Sequence, residues 1–342
     1  MSRAKFILNK SKVIEQLNKT YELTDIVSYF LKTNYEVGKI LEKESKCQFS
    51  VHSMKVAHEI ESPERIWFFA QAWNKEELKN LLKREITSFV VDNEKDLQVL
   101  LENTTTKVNL LLRMKLQENT VHTGKHFVLG FSSKRANELI GELSAHRKIN
   151  KIGIHFHRKT QNVSERGIKE ELQDSLTQET LDQISFVNIG GGLPSIYKNY
   201  KLEALDSIFT KIKEVKEWLN QNEVKMIIEP GRFIAAPSIK LETSVKNVYN
   251  GNVIVNASVY NSAMDTFIAN IRLNVAGETT AEEGRPFTIK GITPDSLDIF
   301  RYRVFLSKKP KIGDQIIFLN AGAYNFSTDF CKLPKIPTEV VE

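Results

Sequence analysis

The sequence predicts an α/β chain, a (β/α)8 barrel of the TIM type followed by a smaller C-terminal β domain. Three observations lead to that class. Eight short apolar runs alternate with segments of helical spacing over the first two-thirds of the chain. The alternation stops after Pro237. From there to the C-terminus the runs are strand-like, with no long helical segment between them. An open doubly wound sheet remains the alternative that alternation alone leaves standing.

Residues 1–24 read as a segment that leads into the barrel or joins the β domain, with 5–8 as the part able to pair. The barrel is expected over 25–236. Its strands fall at 26–31, 48–51, 66–70, 87–91, 108–113, 152–156, 185–189 and 225–229. Helical spacing fills the gaps at 35–44, 54–61, 75–83, 93–103, 133–147, 163–182 and 202–220. Asn93 ahead of Glu94 and Asp96, and Ser132 or Ser133 ahead of Lys134, are cap signals. The β domain is expected over 237–342, with strands at 241–248, 252–258, 287–292, 301–306 and 315–319. Asn250-Gly251 and Ile312-Gly313-Asp314 mark its turns.

At 342 residues the chain exceeds what one core usually holds, which suits a barrel with a second unit. The net charge of +6 raises the question of nucleic acid. The lysines, however, interleave with glutamates, as in Lys75-Glu76-Glu77-Leu78-Lys79, and that pattern reads as a solvated helix face. No apolar run is long enough to span a bilayer, and Met1-Ser2-Arg3-Ala4-Lys5 leads into no secretory core. Neither nucleic acid nor membrane is therefore an expected partner. Cys47 and Cys331 lie far apart without metal-type spacing, which fits a reducing cytoplasm, and no metal is expected.

In a (β/α)8 enzyme the chemistry sits at the C-terminal ends of the strands. The first strand, Ser28-Tyr29-Phe30-Leu31, ends on Lys32, and a desolvated lysine is a candidate Schiff-base amine. The fifth ends on Arg113 and the sixth on His155-Phe156-His157. The seventh runs into Gly190-Gly191-Gly192-Leu193-Pro194, and the eighth into Glu229-Pro230-Gly231-Arg232. Each has a bland counterpart. Lys32 alone is an ordinary loop lysine, His157 a core histidine, the glycines a turn, and Arg232 a structural partner of Glu229. The glycine run lacks the spacing of a nucleotide loop, yet it lets backbone N–H groups approach an anion. Convergence on one rim favours the functional reading.

With these residues in place, the chain resembles the fold-type III pyridoxal-phosphate decarboxylases, a family that includes ornithine, lysine and diaminopimelate decarboxylases. The resemblance rests on Tyr29-Phe30-Leu31-Lys32-Thr33-Asn34, His155-Phe156-His157, the glycine run and Glu229–Arg232. It extends to Gly291-Ile292-Thr293-Pro294-Asp295-Ser296-Leu297-Asp298 and Gly322-Ala323-Tyr324, and so covers nearly the whole chain in order. A second run, Phe69-Ala70-Gln71-Ala72-Trp73-Asn74, looks alike but has alanine in place of the lysine. It belongs to the third strand.

The resemblance implies pyridoxal 5'-phosphate as cofactor, an amino acid as substrate and a homodimer with shared active sites. Lys32 would carry the Schiff base, and His157 would stack on the pyridine ring. Gly190, Gly191, Gly192, Arg232 and Tyr324 would hold the phosphate, helped by Thr160. Glu229 would face the pyridine nitrogen, with Arg113 near the ring. Asp295 would reach the substrate's distal amine from the partner subunit. A carboxylate at the nitrogen keeps the ring protonated and makes it an electron sink, which favours decarboxylation.

Two departures stand out. Pro294 occupies the place of the family's reprotonating cysteine, and neither the ornithine nor the diaminopimelate substrate signature is complete. Asp295 tilts the expected substrate toward a basic diamino acid such as ornithine or lysine. A carboxylated or conjugated diamine is the alternative, with Arg272 or Arg301 as its carboxylate partner. A catalytically inactive regulatory homologue is the alternative from another class.

Overall fold

The computed structural model describes residues 2–115, 129–157, 167–200 and 205–342. β1 (Lys5–Asn9) and α1 (Lys10–Tyr21) precede eight parallel strands that close into a barrel. They are β2 (Ile26–Phe30), β3 (Gln48–Val51), β4 (Ile66–Phe69), β5 (Ser88–Val91), β6 (Val108–Arg113), β7 (Ile149–His155), β8 (Phe186–Asn188) and β9 (Lys225–Ile228). Each pairs with the next, and β9 closes on β2 through Ile26↔Ile227 and Val27↔Ile228. That closing pair excludes the open doubly wound sheet.

Strand periodicity explains how the barrel fills. Trp67, Phe69, Val90, Leu111, Phe186 and Ile227 form their own buried cluster inside it. Phe68, one position along from Trp67, instead belongs to the larger core and stacks on Trp73 at 6.3 Å. Between the strands run α2 (Tyr35–Glu44), α3 (Met54–Ala57), α4 (Lys75–Lys83), α5 (Glu94–Asn103), α6 (Ser133–Leu143), α7 (Ile168–Ser175), α8 (Gln178–Gln183) and α9 (Leu205–Gln221). Gly153 on β7 permits close strand approach, because a Cβ there would collide with the Phe186 carbonyl oxygen.

Several boundaries differ from the sequence expectation, each for a local reason. The helical run at 163–182 divides, in its described part, into α7 and α8, because the Thr177 hydroxyl accepts from the Thr180 amide and caps a new helix. The run at 54–61 makes only one turn, and His58 bonds back to the Met54 carbonyl at its end. α1 has no counterpart in the expectation, since its buried face mixes Gln16 and Thr20 with Val13 and Leu17. The first barrel strand stops at Phe30, and Leu31–Thr33 form a 3-10 turn that carries Lys32.

After β9, α10 (Arg232–Ser238) leads into β10 (Ile239–Tyr249), the spine of the second sheet. Its first half pairs with β1 and β15 (Gln315–Leu319), and its second half with β11 (Asn252–Val255). Between β10 and β11, Asn250 and Gly251 both have positive φ, the backbone a two-residue hairpin of type I′ requires. α11 (Val259–Ser262) and α12 (Asp265–Ile268) follow, then β12 (Asn274–Val275), β13 (Arg285–Lys290) and β14 (Ile299–Leu306). β16 (Thr338–Val341) pairs in parallel with β1.

One residue ties the second sheet's unit to the barrel mouth. Asn34 caps α2 by accepting from the Val37 amide at 3.1 Å, and its side-chain amide donates to the Gly322 carbonyl and to Asn325 Oδ1. Asn34→Ala should cost about 1–2 kcal/mol for the cap alone, plus the lost bridge. Asn34→Ser, which keeps a capping oxygen, should recover part of it. Urea unfolding midpoints for the two variants check this, and equal midpoints would show that the cap contributes nothing.

Candidate active site

The C-terminal rim of the barrel gathers the polar residues that its apolar strands deliver there. Lys32 leaves the 3-10 turn with its Nζ 4.4 Å from the Phe30 ring centroid. Burial lowers its pKa below the ordinary lysine range, Glu229 opposes that shift, and Arg113 adds to it. A larger share of unprotonated amine follows, and with it nucleophilicity. The Phe30 ring also lies nearly parallel to His157 at 6.3 Å and edge-on to His52 at 4.7 Å. His52 in turn stacks on Phe69 at 4.8 Å.

Glu229, immediately after β9, is only 2% exposed. Its Oε1 accepts from the Ser50 hydroxyl at 2.6 Å and from the Asn188 amide at 3.0 Å. Its Oε2 lies 3.3 Å from His155 Nε2. Burial works against the charge, but the His155 imidazole and the Ser50 hydroxyl outweigh it and hold the carboxyl well below its usual range. Burial also pushes His155 down against the pull of Glu229, and its Nε2 faces the carboxylate as a hydrogen-bond donor.

The glycine run packs beside this carboxylate. The Gly190 amide donates to Asn188 Oδ1 at 2.8 Å, and the Gly190 carbonyl accepts from the Glu229 amide at 2.8 Å. Gly190 has φ +70, and a Cβ there would lie 2.5 Å from the Phe156 carbonyl oxygen, so only glycine suits the position. The Gly191 amide donates to His157 Nδ1 at 3.2 Å, which leaves the ring proton on Nε2.

Arg232, at the start of α10, lies between the rings of Tyr197 and Tyr324, 5.6 and 5.1 Å from their centroids. Its guanidinium is paired with Asp265 and donates to the Tyr197 hydroxyl at 3.2 Å. Its buried Nε has no hydrogen-bond partner among the described residues. The Tyr324 amide donates to the Thr33 carbonyl at 3.0 Å, which joins the far end of the chain to the Lys32 turn.

Lys32, His157, Gly191, Gly192, Glu229, Arg232 and Tyr324 thus line one cleft, with Gly190 directly behind it. Arg113 sits beside it, opposite His155 in the strand register, and its charge is felt by both Lys32 and Glu229. Thr160 lies outside the described residues. Asp295 does not line this cleft within one chain. Its Oδ1 accepts from the Tyr260 hydroxyl at 3.0 Å and the Leu297 amide at 2.7 Å.

Arg301 is not available as a carboxylate partner. It is buried and paired with Glu278 at 2.9 Å. Arg272 donates to the Ile299 carbonyl and stacks on Tyr302. Sequence reasoning also passed over Ser50, Asn188, His52, Asp265 and Tyr197, and gave His155 no role. Ser50 and Asn188 stand at or next to the last positions of their strands, so counting polar residues at strand ends could have found them.

The donor set suits pyridoxal phosphate. It combines a desolvated amine, a flat imidazole, a buried ionised carboxylate, a glycine loop, and an arginine with an unpartnered buried N–H. The histidines also give the site a pH signature. His157 is pushed by burial to about 4, below the ordinary value near 6.5. Between about pH 6.5 and 4 the unfolded chain therefore binds more protons than the folded one, and stability falls as pH drops through that window. His157→Gln should flatten the decline in unfolding midpoint between pH 6.5 and 4. A variant as steep as the parent would count against this.

Comparison with known proteins agrees with the geometry. Residues 29–236 match the family model described as "Pyridoxal-dependent decarboxylase, pyridoxal binding domain". The chain is 25% identical over 303 residues to diaminopimelate decarboxylase of Aquifex aeolicus (strain VF5), covering 82% of this chain and 71% of that protein. Its fold is similar to that of lysine/ornithine decarboxylase from Vibrio vulnificus, solved with cadaverine, with TM-score 0.81 and 21% identity over 99% of this chain and 94% of that one. It is also similar in fold to Paramecium bursaria Chlorella virus arginine decarboxylase bound to agmatine, with TM-score 0.82 and 19% identity over 100% and 96% of the two chains. A barrel with this rim, matched by the family model over most of its length, makes the chain a member of the pyridoxal-dependent decarboxylases, lyases that use pyridoxal phosphate to release CO2 from an amino acid.

Proposed function

We propose that the substrate is a basic diamino acid of the lysine or ornithine type, decarboxylated by a cytoplasmic homodimer whose two chains complete each other's sites. We take the units as residues 25–236 and 237–342, with 1–24 as an N-terminal segment whose β1 joins the β domain and whose α1 leads into the barrel. The observation that carries the chemistry is the pairing of a desolvated Lys32 with an ionised, fully buried Glu229 on one rim. Bound pyridoxal phosphate supplies an electron sink for the pair left behind when CO2 departs. The protein's residues do the rest.

Lys32 is the covalent anchor, and its lowered pKa supports that role. Glu229, kept ionised by Ser50, Asn188 and His155, holds a proton on the cofactor's ring nitrogen. His157, oriented by the Gly191 amide, offers a flat face to the ring. The Gly190 and Gly191 amides hold Asn188 and His157. The glycine run therefore meets the phosphate through its close backbone and the Gly192 amide, together with Arg232 and the Tyr324 hydroxyl, with Arg113 near the ring. Asp295, with Tyr260 beside it on a part-exposed loop, is the carboxylate offered to a substrate ammonium across the dimer. The internal pairing of Arg301 with Glu278 speaks against a carboxylated substrate partnered there.

Borohydride treatment of the yellow holoenzyme should fix the cofactor on the peptide that contains Lys32, and mass spectrometry of a digest reads this. A tag on another lysine would move the anchor. Glu229→Gln should lower kcat by about 10²–10³-fold, the scale of one preorganised electrostatic contact. A near-parental rate refutes its role at the nitrogen. Mixing inactive Lys32→Ala chains with inactive Asp295→Ala chains should restore activity, because a mixed dimer holds one intact site. No recovery would place Asp295 outside the shared site. CO2 release from a panel of ornithine, lysine, arginine and diaminopimelate tests the substrate class, and release from diaminopimelate alone overturns it.

A further inference from the structure

The arginine that lines the cleft is already matched by a carboxylate from the other unit of the chain. Arg232 stands on α10 at the end of the barrel, and Asp265 opens α12 beyond β11. Both are buried, at 5% and 4% exposure, and water does not screen their contact. Nη1 pairs with Oδ2, Nη2 lies 3.3 Å from Oδ1, and Nη1 also donates to the Tyr197 hydroxyl at 3.2 Å. That fork leaves Nε, buried and without a partner among the described residues. The backbone holds the arginine from behind as well, since the Ser195 hydroxyl donates to the Arg232 carbonyl at 2.9 Å.

We propose that Asp265 is a positioning residue that fixes the Arg232 guanidinium and neutralises its charge, so that the phosphate meets a directed N–H rather than a free cation. This rests on the reading of Arg232 as a phosphate contact. Asp265 then limits how tightly the phosphate is held, because its own negative charge faces the same low-dielectric pocket. Asparagine at this position has the same shape and keeps an oxygen for the fork, but it releases the full arginine charge to the phosphate. Glutamine at 232 does the reverse and leaves a carboxylate unpaired beside the anion.

The test compares pyridoxal phosphate with pyridoxal, which lacks the phosphate, by equilibrium binding to the full chain. Four proteins are needed: the parent, Asp265→Asn, Arg232→Gln and the double variant. Asp265→Asn should tighten pyridoxal phosphate by about tenfold and leave pyridoxal unchanged. Arg232→Gln should weaken pyridoxal phosphate selectively, and adding Asp265→Asn to it should recover about tenfold of that loss. A purely structural role for the pair would move both ligands together.

If Asp265→Asn leaves the phosphate ligand unchanged or weaker while Arg232→Gln loses it, the proposal for Asp265 fails alone. If Arg232→Gln does not alter the ratio of the two ligands, the phosphate reading of Arg232 fails and takes the proposal with it. Should Asp265→Asn not fold, the double variant against Arg232→Gln carries the test, because those two proteins differ only in the Asp265 charge. A double variant that binds pyridoxal phosphate no tighter than Arg232→Gln overturns the proposal.

Discussion

Keeping a carboxylate ionised in the interior is the constraint on which this site depends. Glu229 is shut away from water, and burial by itself pushes it toward the neutral acid. A set of donors brought from separate strands prevents that: the Ser50 hydroxyl near the end of β3, the His155 imidazole on β7 and the Asn188 amide on β8. None of these is near Glu229 in sequence. A closed barrel converges its strands at one mouth, and that convergence makes the donor set possible. The same donors hold the glycine run, since Asn188 Oδ1 accepts from the Gly190 amide while its amide serves Glu229.

The amine side of the site obeys a complementary logic. Lys32 lies against the Phe30 ring, and Phe30, His52, Phe69, His155 and His157 form a run of rings around the mouth. Desolvation there disfavours the ammonium, whereas Glu229 favours it, and the balance leaves the pKa lowered. Burial pushes the imidazoles of His155 and His157 down for the same reason, and His157, at about 4, offers a flat neutral surface rather than a competing cation.

The second unit does more than cover the barrel. β1, β10 and β16 join residues from both ends of the chain in one sheet, and that sheet presents Gly322, Tyr324 and Asn325 to the turn that carries Lys32. Asp265 reaches Arg232 from the same unit. The active-site rim is therefore braced from two directions, by the barrel beneath and by the C-terminal sheet beside it.

Much of this was legible in the residues alone. The eight barrel strands follow from apolar runs at regular spacing, because a strand buried on both faces must be apolar along its length. Lys32, His157, the glycine run, Glu229 and Arg232 follow from standing at the ends of those runs. The partners that decide their chemistry were not legible. Ser50, Asn188 and Asp265 are ordinary polar residues in sequence, and only closure of the barrel and docking of α12 set them against Glu229 and Arg232. α1 was hidden because its buried face carries Gln16 and Thr20. Local pattern determines which segments are strands and which residues reach the rim. Tertiary contact decides which of those residues are charged, because a pKa depends on neighbours in space and not on neighbours along the chain.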